Sequence, residues 1–226
     1  VVFNTAMSGY QEVLTDPSYA GQIVVMTYPL IGNTGVNDED VESSKVHVRG
    51  FIAKEFCQYH SNYRATKSLT QYLEDNKVIA MEGFDTRALT RHLRVAGVMR
   101  GIISTEDFNQ ESLAAKLKAS PSMDNTDWVK TVTTAKSYFY PATGAYKGQP
   151  LYKVAALDCG IKTNILRILA QRGCDIHVFP ADASFEQIMA VKPDGLFLSN
   201  GPGDPAALPY VIKTVQQSIG KVPLFG

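Results

Sequence analysis

Ser199-Asn200-Gly201-Pro202-Gly203-Asp204-Pro205 is the segment whose residue types and spacing best suit chemistry. Two glycines allow positive φ and let a ligand approach the backbone closely. Successive N–H groups in such a turn can cradle an anion or an oxyanion. The string from Gly201 to Ala206 also fits G-x-G-x-x-A, the pattern of a dinucleotide site. Against that reading, the string follows the third strand of its unit, not the first. Pro202 and Pro205 remove two N–H donors, and no acidic residue lies ~20 positions on to hold a ribose. On pattern alone, a tight turn, an oxyanion loop and a dinucleotide site all stay open.

Cys159, beside Gly160 at a strand end, is the obvious candidate nucleophile. The plainer reading is a small buried residue, and it applies still more to Cys57 and Cys174. Cys57 and His60 are spaced like half a metal site, but no second Cys/His pair completes four ligands, so zinc is not expected. His47, His92 and His177 stand alone, as surface or core histidines usually do. Asp16-Pro17-Ser18-Tyr19-Ala20-Gly21 is a turn by composition, with Ser18 either a polar ligand contact or part of a plain loop. Asp85-Thr86-Arg87 opens a helix that reads as capped, with a solvated basic face.

These residues need elements to position them. From Leu151 on, short apolar runs alternate with helical periodicity. Lys153–Cys159, Asp175–Phe179, Asp194–Ser199 and Val222–Gly226 read as strands, and Ile161–Arg172, Ser184–Val191 and Leu208–Ile219 as helices. That alternation predicts right-handed crossovers and an open parallel sheet, with ligands beyond the carboxyl ends of its strands. The earlier part predicts a mixed α/β domain over residues 1–136. Its strands are expected at Val1–Asn4, Ile23–Thr27, Lys45–Phe56, Val78–Met81 and Met99–Ser104, and its helices at Ser68–Asn76, Asp85–Ala96 and Gln110–Ala119. Residues 137–150, rich in Thr, Gly, Pro and Tyr, read as a linker before the domain at 151–226.

Composition excludes several classes. The 22 basic and 22 acidic residues cancel, leaving no electrostatic footprint for nucleic acid or an anionic membrane. Hydrophobic content of 45% with 19% charged residues is that of a folded domain. The longest apolar stretches are four residues, such as Ile23–Met26; a spanning helix needs ~20. The opening Val1-Val2-Phe3-Asn4 is no signal peptide and lacks an initiator Met, so a piece of a longer chain is expected. Three cysteines at wide spacing suggest a reduced, cytoplasmic protein.

Several strings occur in one order: Phe3-Asn4-Thr5, Ser8-Gly9-Tyr10-Gln11-Glu12, Leu14-Thr15-Asp16-Pro17-Ser18-Tyr19, Tyr28-Pro29, Gly32-Asn33, Asp85-Thr86-Arg87, Leu89-Thr90-Arg91 and the Ser199–Pro205 loop. Together they closely resemble the small, glutamine-hydrolysing chain of glutamine-dependent carbamoyl-phosphate synthase, in a form that looks bacterial. The resemblance covers essentially the whole chain, although the Gly-Pro-Gly loop alone would indicate only a class I glutamine amidotransferase. It implies an α/β protein: a mixed N-terminal domain, then the first half of an open parallel-sheet amidotransferase domain. It implies glutamine hydrolysis, with ammonia channelled to a large chain that uses ATP and Mg to make carbamoyl phosphate for pyrimidines and arginine. No cofactor or metal is implied in this chain itself. Ser18, Gly201 and Gly203 are implied to bind glutamine, with the Gly201 N–H an oxyanion donor. The family's nucleophilic Cys is expected two residues beyond Gly226, and its His and Glu further on, so residues 1–226 alone should not turn over.

If Ser18 and the glycine loop hold one glutamine, its length sets them within roughly 10 Å of each other. The competing expectations are a docking module with no chemistry of its own and a nucleotide-binding oxidoreductase domain. A Cys-x-Gly elbow beyond Gly226 separates the first from catalysis, and a NAD titration tests the second.

Overall fold

Ile23–Met26 is apolar at every position because both of its faces are covered. The computed structural model describes residues 1–143 and 149–226, in two units, Val1–Ser122 and Met123–Gly226. In the first unit the strands are β1 (Val2–Asn4), β2 (Ile23–Met26), β3 (Leu30–Ile31), β4 (Gly50–Ile52), β5 (Glu55–Phe56) and β6 (Ile79–Met81). Its helices are α1 (Tyr10–Thr15), α2 (Leu69–Asp75), α3 (Thr86–Ala96) and α4 (Gln110–Ala119). A parallel sheet runs β1-β2-β4-β6, and β3 pairs with β5. Successive strand residues face opposite ways. Val24, Met26 and Phe51 therefore pack with Tyr10 and Leu14 of α1 and Leu69 and Leu73 of α2. Val25 and Ile52 pack on the other face with Leu89 and Leu93 of α3.

Two strand expectations change here. Met99–Ser104 forms no strand: the Val1 ammonium donates to the Met99 carbonyl and Ile103 packs against Val25 and Ile52, but no ladder forms, and Met99 and Ile102 stay exposed. Within Lys45–Phe56, Gly50–Ile52 and Glu55–Phe56 are strand. The N–H groups of His47 and Arg49 are drawn instead to the carbonyls of Leu14 and Gln22.

The second unit contains β7 (Tyr138–Tyr140), β8 (Tyr152–Asp158), β9 (Cys174–Pro180), β10 (Gly195–Leu198) and β11 (Leu224–Phe225), with α5 (Thr163–Gln171), α6 (Phe185–Ala190) and α7 (Pro209–Ser218). The sheet order is β11-β10-β8-β9-β7, parallel except for β7. Leu166 and Ala170 of α5 cover one face with Ala156, Ile176 and Val178. Ile188 of α6 and Val211 of α7 lie on the other with Ala155, Leu157 and Leu196. Helices on both faces explain the nearly unbroken apolar run of β8.

The division falls at Ser122/Met123, earlier than residue 136. Tyr138–Tyr140, expected in the linker, is an edge strand antiparallel to β9, and the Phe139 ring lies 5.0 Å from that of His177. Three successive aromatics suit a half-covered strand, a signal the surrounding Gly/Pro-rich composition masked. Residues 144–148 of the expected linker lie outside the described residues. Among the described residues no helix is long and apolar enough to cross a membrane.

Candidate functional site

The chain goes from β8 to β9 on one side, then crosses back to place β10 on the other side of β8. That reversal opens a crevice beyond the carboxyl ends of β8 and β10, where open α/β sheets bind ligands. The Asp158-Cys159-Gly160 turn and the Ser199–Pro205 loop follow these two strands.

Side chains lace the two strand ends together. The buried Asp158 carboxylate accepts N–H bonds from Gly160 (2.9 Å) and Ile161 (2.8 Å) on one oxygen. The other oxygen accepts from Thr134 (2.8 Å). Ser199 Oγ accepts from the Cys159 N–H at 2.8 Å and donates to the Asn200 carbonyl at 2.7 Å. Asn200 Nδ2 donates to the Gly160 carbonyl at 3.1 Å. The loop is thereby tied to the neighbouring strand before any ligand arrives.

That tie brings backbones together so closely that position 201 must be glycine. A Cβ there would lie 2.1 Å from the Cys159 carbonyl oxygen. Gly203 is glycine for a different reason: its φ is +85°, which side chains rarely adopt. Both glycines are exposed, and the Gly201 N–H has no hydrogen-bond acceptor among the described residues. Asp204 accepts from the Ala206 N–H (2.9 Å) and caps a 3-10 turn over Pro205–Ala207; α7 begins only at Pro209. The G-x-G-x-x-A string thus does not open directly onto a long helix, as a dinucleotide site requires.

A pocket of about 320 Å³ lies against the loop, with a mainly aliphatic wall that includes Val129, Leu198, Leu208 and Val211. Val129 belongs to a 3-10 turn (Val129–Thr131) that begins just after Trp128. The Trp128 ring would be 3.3 Å from a Cβ at Gly203. This turn is fastened by the Tyr210 hydroxyl, which donates to the Asp127 carboxylate at 3.0–3.1 Å. Burial, then Asp127, push the Tyr210 phenol well above its usual range. Sequence reading missed Trp128 and Asp127 as supports of this region, since only the fold brings Trp128 against Gly203 and Asp127 to the Tyr210 hydroxyl.

Cys159 is buried, and burial, followed by Asp158 and Asp127, pushes its thiol up to about 12. A thiol so held is protonated at neutral pH and is a poor nucleophile; its place is structural. Burial likewise raises Cys174, and Cys57 Sγ donates to the Tyr59 carbonyl at 3.2 Å. Among the described residues no group of three or more His, Cys, Asp or Glu converges as a metal site.

Ser18 lies in the first unit, half-buried in a 3-10 turn (Pro17–Tyr19). Asp16 Oδ1 accepts the Ser18 N–H at 2.8 Å, and the Ser18 carbonyl accepts from Gln22 Nε2 at 2.8 Å. The turn predicted from Asp-Pro-Ser is therefore present, held by a side chain reaching two residues forward.

Comparison with known proteins adds to this geometry. Residues 1–103 match the family model described as carbamoyl-phosphate synthase small chain, CPSase domain. Residues 155–226 match glutamine amidotransferase class-I. The carbamoyl phosphate synthase small chains of Syntrophotalea carbinolica, Clostridium perfringens and Synechocystis are 51%, 49% and 50% identical, with alignments covering 100% of this chain. The chain spans 62% of the length of each of these relatives. The chain is thus similar along its whole length to carbamoyl phosphate synthase small chains, with a mixed α/β unit followed by a largely parallel sheet that carries the glycine loop at its switch point and matches glutamine amidotransferase class-I.

Proposed function

We propose that the protein to which these residues belong hydrolyses glutamine to glutamate and ammonia. The ammonia passes to a large chain that uses ATP and Mg to form carbamoyl phosphate, serving pyrimidine and arginine biosynthesis in the cytoplasm. The supporting observation is the exposed Gly201 N–H, left without an acceptor on a loop fixed at the switch point. Attack of a thiolate on the glutamine carboxamide forms an S–C bond and moves the carbonyl electron pair onto oxygen. A donor already in place at that oxygen stabilises the charge by about 3–4 kcal/mol. Collapse breaks the C–N bond and releases ammonia once the nitrogen has taken a proton; water then cleaves the thioester to glutamate.

In this reading Gly201 and Gly203 line the acyl end of the glutamine, and Ser18 is a further glutamine-binding residue. The nucleophilic Cys and its His and Glu partners belong to the sequence after Gly226, so residues 1–226 by themselves release no ammonia. The test is made on the full-length protein with its large chain, comparing glutamine-driven with ammonia-driven carbamoyl phosphate formation. Ser18→Ala is expected to raise KM for glutamine and spare the ammonia-driven rate. An unchanged KM removes Ser18 from the site, and a full-length protein that forms no glutamate from glutamine sinks the whole reading.

A further inference from the structure

The carboxyl edge of the first sheet faces a second concave site. Thr5 follows β1, Thr27 follows β2 and Lys54 lies two residues past β4, three strands adjacent in the sheet. Together with one face of α3, from its cap Asp85 to Arg94, they line a cleft of about 720 Å³. That volume is in the small-molecule range of ~300–1,000 Å³.

The cleft is strongly basic. Arg87, Arg91 and Arg94 are spaced four and three residues apart, so they share one face of α3, and all three line the cleft with Lys54. None of these four cations makes an ion pair among the described residues. The acidic residue lining the cleft is Asp85, and its carboxylate is engaged as the α3 N-cap, accepting the Ala88 N–H at 2.9 Å. Like charges gathered this closely repel unless an anion sits among them.

Two hydroxyls point to the same conclusion independently of charge. Thr86 is only 4% exposed, lines the cleft, and its hydroxyl makes no hydrogen bond among the described residues. Thr90 Oγ1 is also buried without a partner, in the same wall. A hydroxyl buried like that of Thr90 is normally satisfied, so its lack of a partner asks for a missing one.

We propose that this cleft binds a phosphate-bearing small molecule, its phosphoryl oxygens held by Arg87, Arg91 and the Thr86 hydroxyl, with Lys54 reaching in from the sheet edge. A single carboxylate has two oxygens and one charge, too few for three guanidinium forks, an ammonium and a hydroxyl. A phosphoryl group offers more acceptors and up to two charges, and guanidinium binds it in bidentate fashion. The inference needs neither glutamine nor the Gly201 loop, so the two readings fail separately.

The experiment titrates pyrophosphate and inorganic phosphate into the full-length protein, alone and with its large chain. Chloride holds the ionic strength constant, acetate and citrate serve as carboxylate controls, and binding is read by calorimetry and by the rise in Tm. Saturable binding of pyrophosphate, weaker binding of phosphate and none of acetate are expected. Arg87→Ala and Arg91→Ala should each weaken pyrophosphate at least about tenfold, with Arg91→Lys intermediate because it keeps the charge and loses the fork. Thr86→Val supplies a second, uncharged variant if an arginine variant does not fold. No saturable binding, equal binding by the variants, or citrate binding as tight as pyrophosphate would overturn the proposal. So would loss of the site on adding the large chain, with the arginine variants weakening that association; the cleft would then be a protein contact.

Discussion

Gly201 and Cys159 have exchanged the roles their residue types suggest. The cysteine, chemically the richer group, is buried with its thiol pushed up to about 12, and its carbonyl defines how close the glycine comes. Cys159→Ser in the full-length protein should therefore leave glutaminase activity and the covalent glutamyl adduct largely intact. With iodoacetamide at pH 8, Cys57 should be alkylated well before Cys159, as peptide mapping would show. Loss of the adduct in a folded Cys159→Ser variant would make that residue the nucleophile after all. Gly201→Ala places a methyl 2.1 Å from the Cys159 oxygen, and overpacking of this kind costs on the order of 1–3 kcal/mol. Urea denaturation should show at least that loss, and an unchanged midpoint would mean that the loop relaxes freely.

At the scale of elements, the site depends on how β8 and β10 are held rather than on any one helix. Ser184 caps α6 with a reciprocal pair: its side chain accepts the Gln187 N–H, and the Gln187 side chain accepts the Ser184 N–H. Ser184→Ala should cost about 1 kcal/mol, visible as a shifted denaturation midpoint, without altering KM for glutamine, because α6 supports the sheet away from the loop. The edge strand β7 matters more. A fragment beginning at Leu151 omits β7, the Thr134 bond to Asp158 and the Val129 turn under the glycine loop. A fragment over residues 123–226 should consequently be the more stable of the two in thermal denaturation. Equal Tm values would mean that β7 and its approach add nothing to the unit.

At the scale of the whole molecule, acid should weaken the fold in a predictable window. His47 is lowered from 6.5 to about 4, first by burial and then by Lys45, and exchanges a 2.9 Å bond with Ser43. The unfolded chain therefore binds this proton more readily than the folded one. Stability is complete above about pH 6.5 and falls as the pH drops towards about 4. Urea midpoints across that range should decline less in His47→Asn than in the parent; parallel slopes would show that this side chain is not the source. Asp107, lowered to about 2 chiefly by Lys116, acts in the same direction but at lower pH, so the two contributions separate.

Local pattern was enough for much of this. The apolar run of β8, the periodicity of α5, the Asp85 cap of α3 and the turn at Asp16–Ser18 all follow from residues close in sequence, and each is present. The glycine loop was legible as unusual, and the ordered strings pointed to the family. The strand order was not legible, because pairing depends on contacts between residues far apart and one alternating pattern is compatible with several orders. Only the order β10-β8-β9 puts the loop at a crevice. Only packing made Cys159 inert, made Tyr138–Tyr140 a strand rather than a linker, and left Met99–Ser104 without a ladder. The Arg87–Arg94 face of α3 reads in sequence as a solvated stripe. The sheet edge that carries Lys54 turns it into one wall of a cleft, since burial and charge proximity arise only when distant segments meet.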